Sequence, residues 1–289
     1  MLTRKEYYRA VEKEPGHFRL GSAENVWMEL FIGMDRALLF DTGNGFGDIH
    51  AAVRKLTDKP LIIVNSHGHG DHTGGNAQFA EKCLLLPEDF ELCKKHCGEA
   101  MRREAMQRAE HSFDFRTGRI SDILPEDFDE QDYLSQGTGK IAPLSKDQVF
   151  DLGKLVLRVV WMPGHTKGCI GLLDEKRKVL YAGDSLSSFI WLFLDEATTL
   201  SDYRAMLARS EKLPFDHFYS AHDEMPHDRK TFEIWKEVAD QVDFEKGIPF
   251  DSLINADGSA RICVRKGYGP QDFTKEGYAA VVIDERHLR

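Results

Sequence analysis

Short apolar runs that end at a histidine or an aspartate are the feature that most constrains the fold of this chain. Residues 38–40 precede Asp41, 61–64 precede His67, 159–161 precede His165, 180–182 precede Asp184, and 218–220 precede His222. In open α/β sheets, ligands bind beyond the carboxyl ends of the strands. We therefore expect five strands of an α/β protein whose polar side chains converge on one rim.

The residues after the run 61–64 contain four metal-binding side chains within six positions. They are His67, His69, Asp71 and His72. The i, i+2 spacing of the first two rings lets them share one ion from an extended backbone, with room left by the intervening glycine. After a second glycine, we expect a helix starting near Thr73, which aims Asp71 and His72 at a second ion. Four such groups are unfavourable in a hydrophobic core, because each buried polar atom needs a hydrogen-bond partner.

The type and number of these donors predict two divalent metal ions. Nitrogen and carboxylate donors without thiolate suit zinc, iron, manganese or cobalt, and there are more donors than one four-coordinate zinc can use. We expect zinc, with iron or manganese as alternatives. Asp41 has two interpretations: it accepts a hydrogen bond that orients a ligand imidazole, or it is a turn-forming residue before Gly43.

Composition indicates a globular protein and excludes several classes. The 289 residues include 38 basic and 48 acidic side chains, a formal net charge of −10. Because the basic residues are scattered among carboxylates, we expect no nucleic-acid partner. No apolar run approaches the roughly 18–20 residues that span a bilayer, so we also expect no membrane segment. The start of the chain lacks a secretory pattern and the five cysteines are sparse, which favours a cytoplasmic protein with reduced thiols.

Without repeats or low-complexity linkers, we interpret residues 1–289 as a single domain. We expect strands at 26–31, 37–40, 61–64, 155–161, 178–182 and 217–220, and helices at 48–56, 87–112, 201–213 and 228–243. An insertion at about 93–144 is expected to cover the pocket, and a C-terminal extension at about 252–289 to form strands. Charged runs such as 101–104 are interpreted as solvated helix faces, and Cys93-x-x-His96-Cys97 as helix surface and face.

With these motifs in this order over about residues 20–225, the chain resembles the metallo-β-lactamase superfamily of metal-dependent hydrolases. The resemblance implies a four-layer αββα sandwich. It also implies that one ion is bound by His67, His69 and His165, a second by Asp71, His72 and His222, and that Asp184 bridges the two.

The same resemblance implies a mechanism and a class of substrate. A hydroxide held between two metal ions would attack the substrate, with Asp71 orienting the water and accepting its proton. The commonest zinc β-lactamases have cysteine where Asp184 stands, so antibiotic hydrolysis is not expected. The chain is more similar to the glyoxalase II and lactonase branch, which implies a hydrolase acting on a small-molecule ester, thioester or lactone.

Two alternatives on the same scaffold stay open. One is a persulfide-dioxygenase-like oxidoreductase with a single iron on His67, His165 and Asp184; the other is a phosphodiesterase. Aromatic residues near the motifs have two interpretations: they contact a substrate with an apolar portion, or they pack the insertion against the rest of the fold, which we favour for most of them. They are Phe113, Phe115 and Phe128 of the insertion, and Phe189, Trp191 and Phe193. The oligomeric state does not follow from the sequence.

Overall fold

The computed structural model of the chain describes residues 7–114, 119–251 and 258–289. The chain forms two compact units. The first unit contains Met1–Leu157 and Ala221–Glu224, and the second contains Arg158–Ser220 and Met225–Arg289. Whether residues 1–289 act as a single domain stays a prediction. None of the described helices combines the length and apolar character needed to cross a bilayer.

The described residues of the first unit form a seven-stranded mixed sheet, a two-stranded sheet and five α-helices. Its strands are β1 (Arg9–Glu14), β2 (His17–Gly21), β3 (Trp27–Ile32), β4 (Ala37–Phe40), β5 (Leu61–Val64), β6 (Lys82–Leu85), β7 (Ser112–Asp114), β8 (Arg119–Ser121), β9 (Lys140–Pro143) and β10 (Val149–Asp151). Its helices are α1 (Ile49–Arg54), α2 (Gly70–Thr73), α3 (Phe90–His96), α4 (Glu99–Glu110) and α5 (Glu130–Ser135). The large sheet has the order β1-β2-β3-β4-β5-β6-β9, and β7 pairs with β8.

The central strands of the first unit are the ones that the apolar runs predict. β4 and β5 are almost entirely buried and pair in parallel, with Phe40 opposite Val64. Continuous apolar sequence is typical of parallel strands covered on both faces. α1 begins where Asp48 accepts a hydrogen bond from the amide of Ala51, at 2.8 Å, a favourable helix start. Parallel pairing directs the residues after β4 and after β5 to the same sheet edge.

The predicted helix over 87–112 is wrong as a single element. The segment consists of a 3-10 turn (Pro87–Asp89), α3 and α4. Gly98 separates the two helices with extended dihedrals, φ −75° and ψ 157°. The four-residue repeat of small and apolar residues continues across this break, so periodicity alone cannot detect it.

Arg102 on α4 is not the solvated side chain expected from its charged surroundings. It is 1% exposed. Its Nε donates to the carbonyl of Cys97 at 3.0 Å, and its Nη2 donates to the carbonyl of Gly74 at 2.9 Å. Its guanidinium lies 4.8 Å from the ring centroid of Tyr133. Arg102 therefore ties α4 to the residue that follows α2.

Only part of the aromatic set expected in the insertion can be placed. Phe128 packs against Phe46 and Tyr133, with ring centroids 5.8 and 5.3 Å apart. The backbone of Phe113 lies in β7, whereas Phe115 lies outside the described residues. Packing inside the first unit is the role that the structure gives Phe128.

The described part of the second unit forms strands and two long helices. β11 (Val156–Trp161) carries the chain into it, followed by β12 (Ile170–Asp174), β13 (Val179–Tyr181), β14 (Phe189–Leu192), β15 (His217–Tyr219), β16 (His227–Asp228), β17 (Ile248–Pro249), β18 (Arg261–Val264) and β19 (Ala280–Ile283). The helices are α6 (Leu200–Ser210) and α7 (Arg229–Asp240). The strands of one sheet that belong to this unit have the order β11-β12-β13-β15-β16, and the other sheet has the order β14-β19-β18-β17.

The helix and strand predictions for the second unit agree with the structure to within a few residues at most ends. Phe232, Trp235 and Val238 form the expected buried stripe of α7. β13 and β15 pair in parallel, and β11 runs in the same direction as β13 because both are antiparallel to β12. The residues after β11 and after β13 therefore leave the sheet at one edge. In the C-terminal segment the expected strands β18 and β19 are present, while residues 252–257 lie outside the described residues.

Candidate functional site

Asp41 organises the polar residues at the carboxyl edge of β4 and β5. It is 1% exposed and has a φ of 70°, an uncommon conformation for a residue other than glycine. Its carboxylate accepts hydrogen bonds from Ser66 N at 2.6 Å, Ser66 Oγ at 2.7 Å and His72 Nδ1 at 2.9 Å. Of the two interpretations of Asp41, the structure supports the acceptor that orients an imidazole.

These hydrogen bonds determine which nitrogen of two imidazoles carries the proton. The Ser66 hydroxyl donates its hydrogen bond to Asp41, so its oxygen accepts one from His67 Nδ1, 3.0 Å away. His72 Nδ1 likewise donates to Asp41. In each neutral ring, Nε2 then carries the lone pair that a metal ion requires.

His67 and His69 lie close enough to bind the same metal ion. Both are buried, and His67 Nε2 is 3.0 Å from His69 Nδ1. Two nitrogens at this separation can each lie at the ~2.0–2.1 Å typical of zinc–nitrogen bonds. The i, i+2 spacing therefore gives the expected pair of imidazoles.

The glycine between them lies close to the backbone of Asp89. A Cβ at Gly68 would lie 2.8 Å from the carbonyl oxygen of Asp89. The Gly68 amide donates to Asp89 Oδ2 at 3.0 Å. Glycine is therefore required by the close approach of the Asp89 backbone, and its role in leaving room for an ion stays a prediction.

Asp71, His72 and His222 form a second group in the first unit. One ligand atom from each lies within 4.8 Å of the others. Asp71 Oδ2 is 3.4 Å from His72 Nε2 and 3.6 Å from His222 Nε2. The His72 side chain is fully buried, while those of Asp71 and His222 are 32% and 39% exposed. Two imidazole nitrogens and a carboxylate oxygen at these distances can hold a divalent metal ion.

The helix that carries two of these residues starts earlier than expected. α2 begins at Gly70 rather than near Thr73, so Asp71 and His72 lie within its first turn. His69 precedes it with extended dihedrals, φ −69° and ψ 154°. The change from extended to helical backbone separates His69 from Asp71 and His72, which allows them to belong to different ligand groups.

In the second unit, His165 and Asp184 lie near each other after β11 and β13. His165 Nε2 is 3.7 Å from Asp184 Oδ2. The other ring nitrogen, Nδ1, lies 3.2 Å from the carbonyl oxygen of Trp191. A carbonyl can only accept, so Nδ1 is the donor and Nε2 carries the lone pair.

Three buried polar residues that support this arrangement were not predicted from the sequence. Asn65 donates through Nδ2 to the carbonyl of His72 at 2.9 Å, and its side chain pairs with Asn76. Thr42 donates from its amide to the same carbonyl at 2.9 Å. Asn65 and Thr42 each follow a predicted strand, a position that could have identified them.

The motif Cys93-x-x-His96-Cys97, for which the sequence predicts helix surface and face, has a half-buried histidine between two buried cysteines. The ring centroid of His96 is 4.8 Å from that of His69. The amide of Gly70 donates to His96 Nδ1 at 3.4 Å. The cysteines on either side, Cys93 and Cys97, are buried and pack with Leu85. The 27-residue separation between the two histidines conceals this contact in the sequence.

Comparison with known proteins gives one family and several relatives. The family described as the metallo-beta-lactamase superfamily has a sequence profile that matches residues 23–222. A bovine (Bos taurus) protein, "Acyl-coenzyme A thioesterase MBLAC2", is 27% identical over 205 residues, which cover 64% of this chain and 66% of that protein. The match thus spans a little less than two thirds of the relative's length.

Solved structures show a similar fold. The sec-alkylsulfatase Pisa1 from Pseudomonas sp. aligns with a TM-score of 0.61 at 14% identity, covering 82% of this chain and 43% of that one. A metallo-beta-lactamase with a HARLDQ motif from Cronobacter sakazakii aligns with a TM-score of 0.52 at 21% identity, covering 74% and 77%. At these identities the similarity concerns the fold alone.

Replacing Asp41 with Asn tests whether this carboxylate orients the ligand rings. Asparagine tolerates the left-handed backbone, but it presents an amide where His72 Nδ1 and the Ser66 hydroxyl need an acceptor. We expect Asp41→Asn to remain folded and to bind divalent metal about 10–100-fold more weakly. Competition with a chromophoric chelator measures this, with Asp58→Asn on an exposed loop as the control. Unchanged metal affinity in Asp41→Asn would show that the carboxylate has no orienting role.

Proposed function

Because the chain belongs to the metallo-beta-lactamase superfamily, we propose that it is a dinuclear metal-dependent hydrolase that cleaves an acyl thioester. The superfamily assignment and its α/β fold, both expected from the sequence, are confirmed by the family profile and the structural matches. The observation that supports a metal-dependent activity best is the group Asp71, His72 and His222, whose ligand atoms lie within 4.8 Å of one another.

We propose two ligand sets that combine this geometry with the family resemblance. The first ion would be held by His67, His69 and His165, the second by Asp71, His72 and His222, and Asp184 would be a ligand of both. The ring tautomers support these sets, since His67, His72 and His165 each direct a lone pair from Nε2. The assignment of His165 and Asp184 to the same centre as His67 rests on the family resemblance.

The donor set fits hard or borderline divalent ions. Imidazole and carboxylate without thiolate suit zinc, with iron or manganese as alternatives. When bound, such ions supply Lewis acidity, which lowers the pKa of water and polarises a carbonyl oxygen. The proposal of two ions follows from the number of donors, which exceeds the four that one zinc ion can use.

The residues of the chain have distinct tasks in this proposal. Asp41 keeps the His72 ring in the tautomer that leaves Nε2 unprotonated. Asp71 binds an ion and also accepts, at a carboxylate oxygen, the proton released by the attacking water. Its partial exposure gives that proton a path to solvent. Trp191 fixes the His165 ring through its main-chain carbonyl, so that task does not depend on the tryptophan side chain.

A thioester is favoured among the three bonds expected from the sequence. The bovine relative bears the name acyl-coenzyme A thioesterase. An acyl thioester also has an apolar portion, and an aromatic cluster lies beside His165 in the second unit. Its rings have centroids 5.4–6.5 Å apart and belong to Phe189, Trp191, Phe193 and Phe250. Three of the four are half-buried and therefore retain surface that an acyl chain can cover.

A hydrolysis screen with protein of measured metal content tests the proposed function. We expect about two divalent ions per chain and thiol release from acyl-coenzyme A thioesters, with slower turnover of simple esters, lactones and phosphodiesters. His67→Ala should stay folded by circular dichroism, because the sheet has its own apolar core, and should lose most metal and all turnover. One iron per chain with oxygen consumption would instead support the dioxygenase alternative, and protein without bound metal would contradict the proposal.

Trp191→Ala tests the proposed acyl-binding role of the aromatic cluster. Removing ~60 Å² of apolar contact costs about 1.5 kcal/mol, or roughly tenfold in binding. Such contacts are made equally in the ground and transition states, so we expect KM to rise about tenfold with little change in kcat or metal content. Phe273→Ala, at a site that is 41% exposed, is the control. If KM is unchanged in Trp191→Ala, the cluster only stabilises the second unit.

A further inference from the structure

The segment that carries His222 belongs to a different unit from the residues on both sides of it. Residues up to Ser220 and from Met225 onward are part of the second unit, whereas Ala221–Glu224 is part of the first. Residues 221–224 contain no helix or strand. Specific contacts are therefore needed to fix the position of this segment in the first unit.

All four main-chain carbonyls of this segment accept hydrogen bonds from β2, β3 and the turn between them. The Trp27 amide donates to the carbonyl of Ala221 at 2.8 Å. Asn25 Nδ2 donates to the carbonyl of His222. Arg19 Nη1 donates to the next two carbonyls, those of Asp223 at 2.5 Å and Glu224 at 2.8 Å.

Arg19 is held rigidly from the other side. It is fully buried, and its Nε donates to Glu29 Oε1 at 2.8 Å across the β2–β3 pair. The second carboxylate oxygen of Glu29 lies 2.8 Å from His17 Nε2. The guanidinium also lies 5.1 Å from the Trp27 ring centroid. A planar guanidinium with one edge fixed by a carboxylate presents its remaining N–H groups in a defined direction.

Asn25 is suited to its position in two ways. Its φ of 61° is a left-handed conformation that asparagine accepts more readily than most residues. Its Oδ1 accepts from Trp27 Nε1 at 3.2 Å, so the amide is oriented with Nδ2 toward the carbonyl of His222. The side chain thus connects the hairpin directly to the proposed metal ligand.

We propose that Arg19 and Asn25 are positioning residues that hold His222 where it completes the second metal site with Asp71 and His72. We name these donors, Arg19, Asn25 and the Trp27 amide, the carbonyl clamp. The inference rests on the proposed function, because it assigns the clamp to a metal site. By holding four consecutive carbonyls, the clamp fixes the backbone on both sides of His222 and so reduces the entropy lost when the ring binds an ion.

Two substitutions separate this role from general stabilisation. Asn25→Gly keeps the left-handed backbone available and removes only the amide. Arg19→Met keeps an unbranched side chain of similar length and removes the guanidinium, and Glu29 retains His17 as its partner. If Arg19→Met does not fold, the pair Arg19→Met with Glu29→Gln avoids leaving the carboxylate without the guanidinium. Val53→Ala, in the core of the same unit, is the control for lost stability.

The experiment measures stepwise binding of Zn²⁺ by chelator competition, and Co²⁺ binding by its visible spectrum. We expect the affinity for the second ion to fall at least tenfold in Asn25→Gly and further in Arg19→Met, while the affinity for the first ion changes less than twofold. Val53→Ala should lower the melting temperature and leave both affinities unchanged. If the clamp only stabilises the fold, the affinities for both ions should fall by the same factor, or neither affinity should change.

The outcomes also distinguish failure of the clamp proposal from failure of the proposed function. Suppose that the wild-type protein binds two ions and both clamp variants bind the second ion with wild-type affinity. The positioning role of Arg19 and Asn25 is then contradicted, whereas the proposed hydrolase function is not. If the wild-type protein binds no second ion, both proposals are overturned.

Discussion

The hydrogen bonds accepted by the buried carboxylate of Asp41 are the interactions on which the rest of the site depends. The carboxylate accepts three hydrogen bonds, from the amide and hydroxyl of Ser66 and from His72. Through them it fixes the orientation and tautomer of two imidazoles that lie five residues apart. Parallel pairing of β4 and β5 brings Asp41 and Ser66 to the same edge, so the sheet itself creates this network. Its left-handed backbone is a conformational cost that the surrounding hydrogen bonds offset.

The first unit buries two arginines beside its apolar sheet. Arg19 and Arg102 are both almost fully buried, and both donate to main-chain carbonyls of segments next to proposed ligands. Arg102 holds the end of α2 through Gly74, and Arg19 holds the residues after His222. A buried guanidinium is expensive unless its N–H groups are satisfied. Carbonyl groups of irregular segments accept from Nε and Nη2 of Arg102 and from Nη1 of Arg19, so burial of the arginines is coupled to the placement of the proposed ligands.

The strands that end at proposed ligands can be predicted from the sequence, because continuous apolar runs and the polar residue after them are local signals. The burial of Arg19 cannot be predicted in this way, because it depends on Glu29 lying directly opposite across β2 and β3. The sequence predicts α3 and α4 as one helix, since the spacing of apolar residues continues through Gly98. The contact between His69 and His96 depends on tertiary packing that no spacing reveals. The association of His165 and Asp184 with the other ligands came from the family resemblance and stays a proposal.

The most direct test of the central claim, that the chain holds two divalent ions through these seven side chains, is anomalous diffraction from crystals of the zinc-loaded protein. We predict two anomalous peaks. One should be bound by nitrogens of His67, His69 and His165, and the other by Asp71, His72 and His222, with Asp184 contacting both. A single peak, or peaks bound by other residues, would contradict the account.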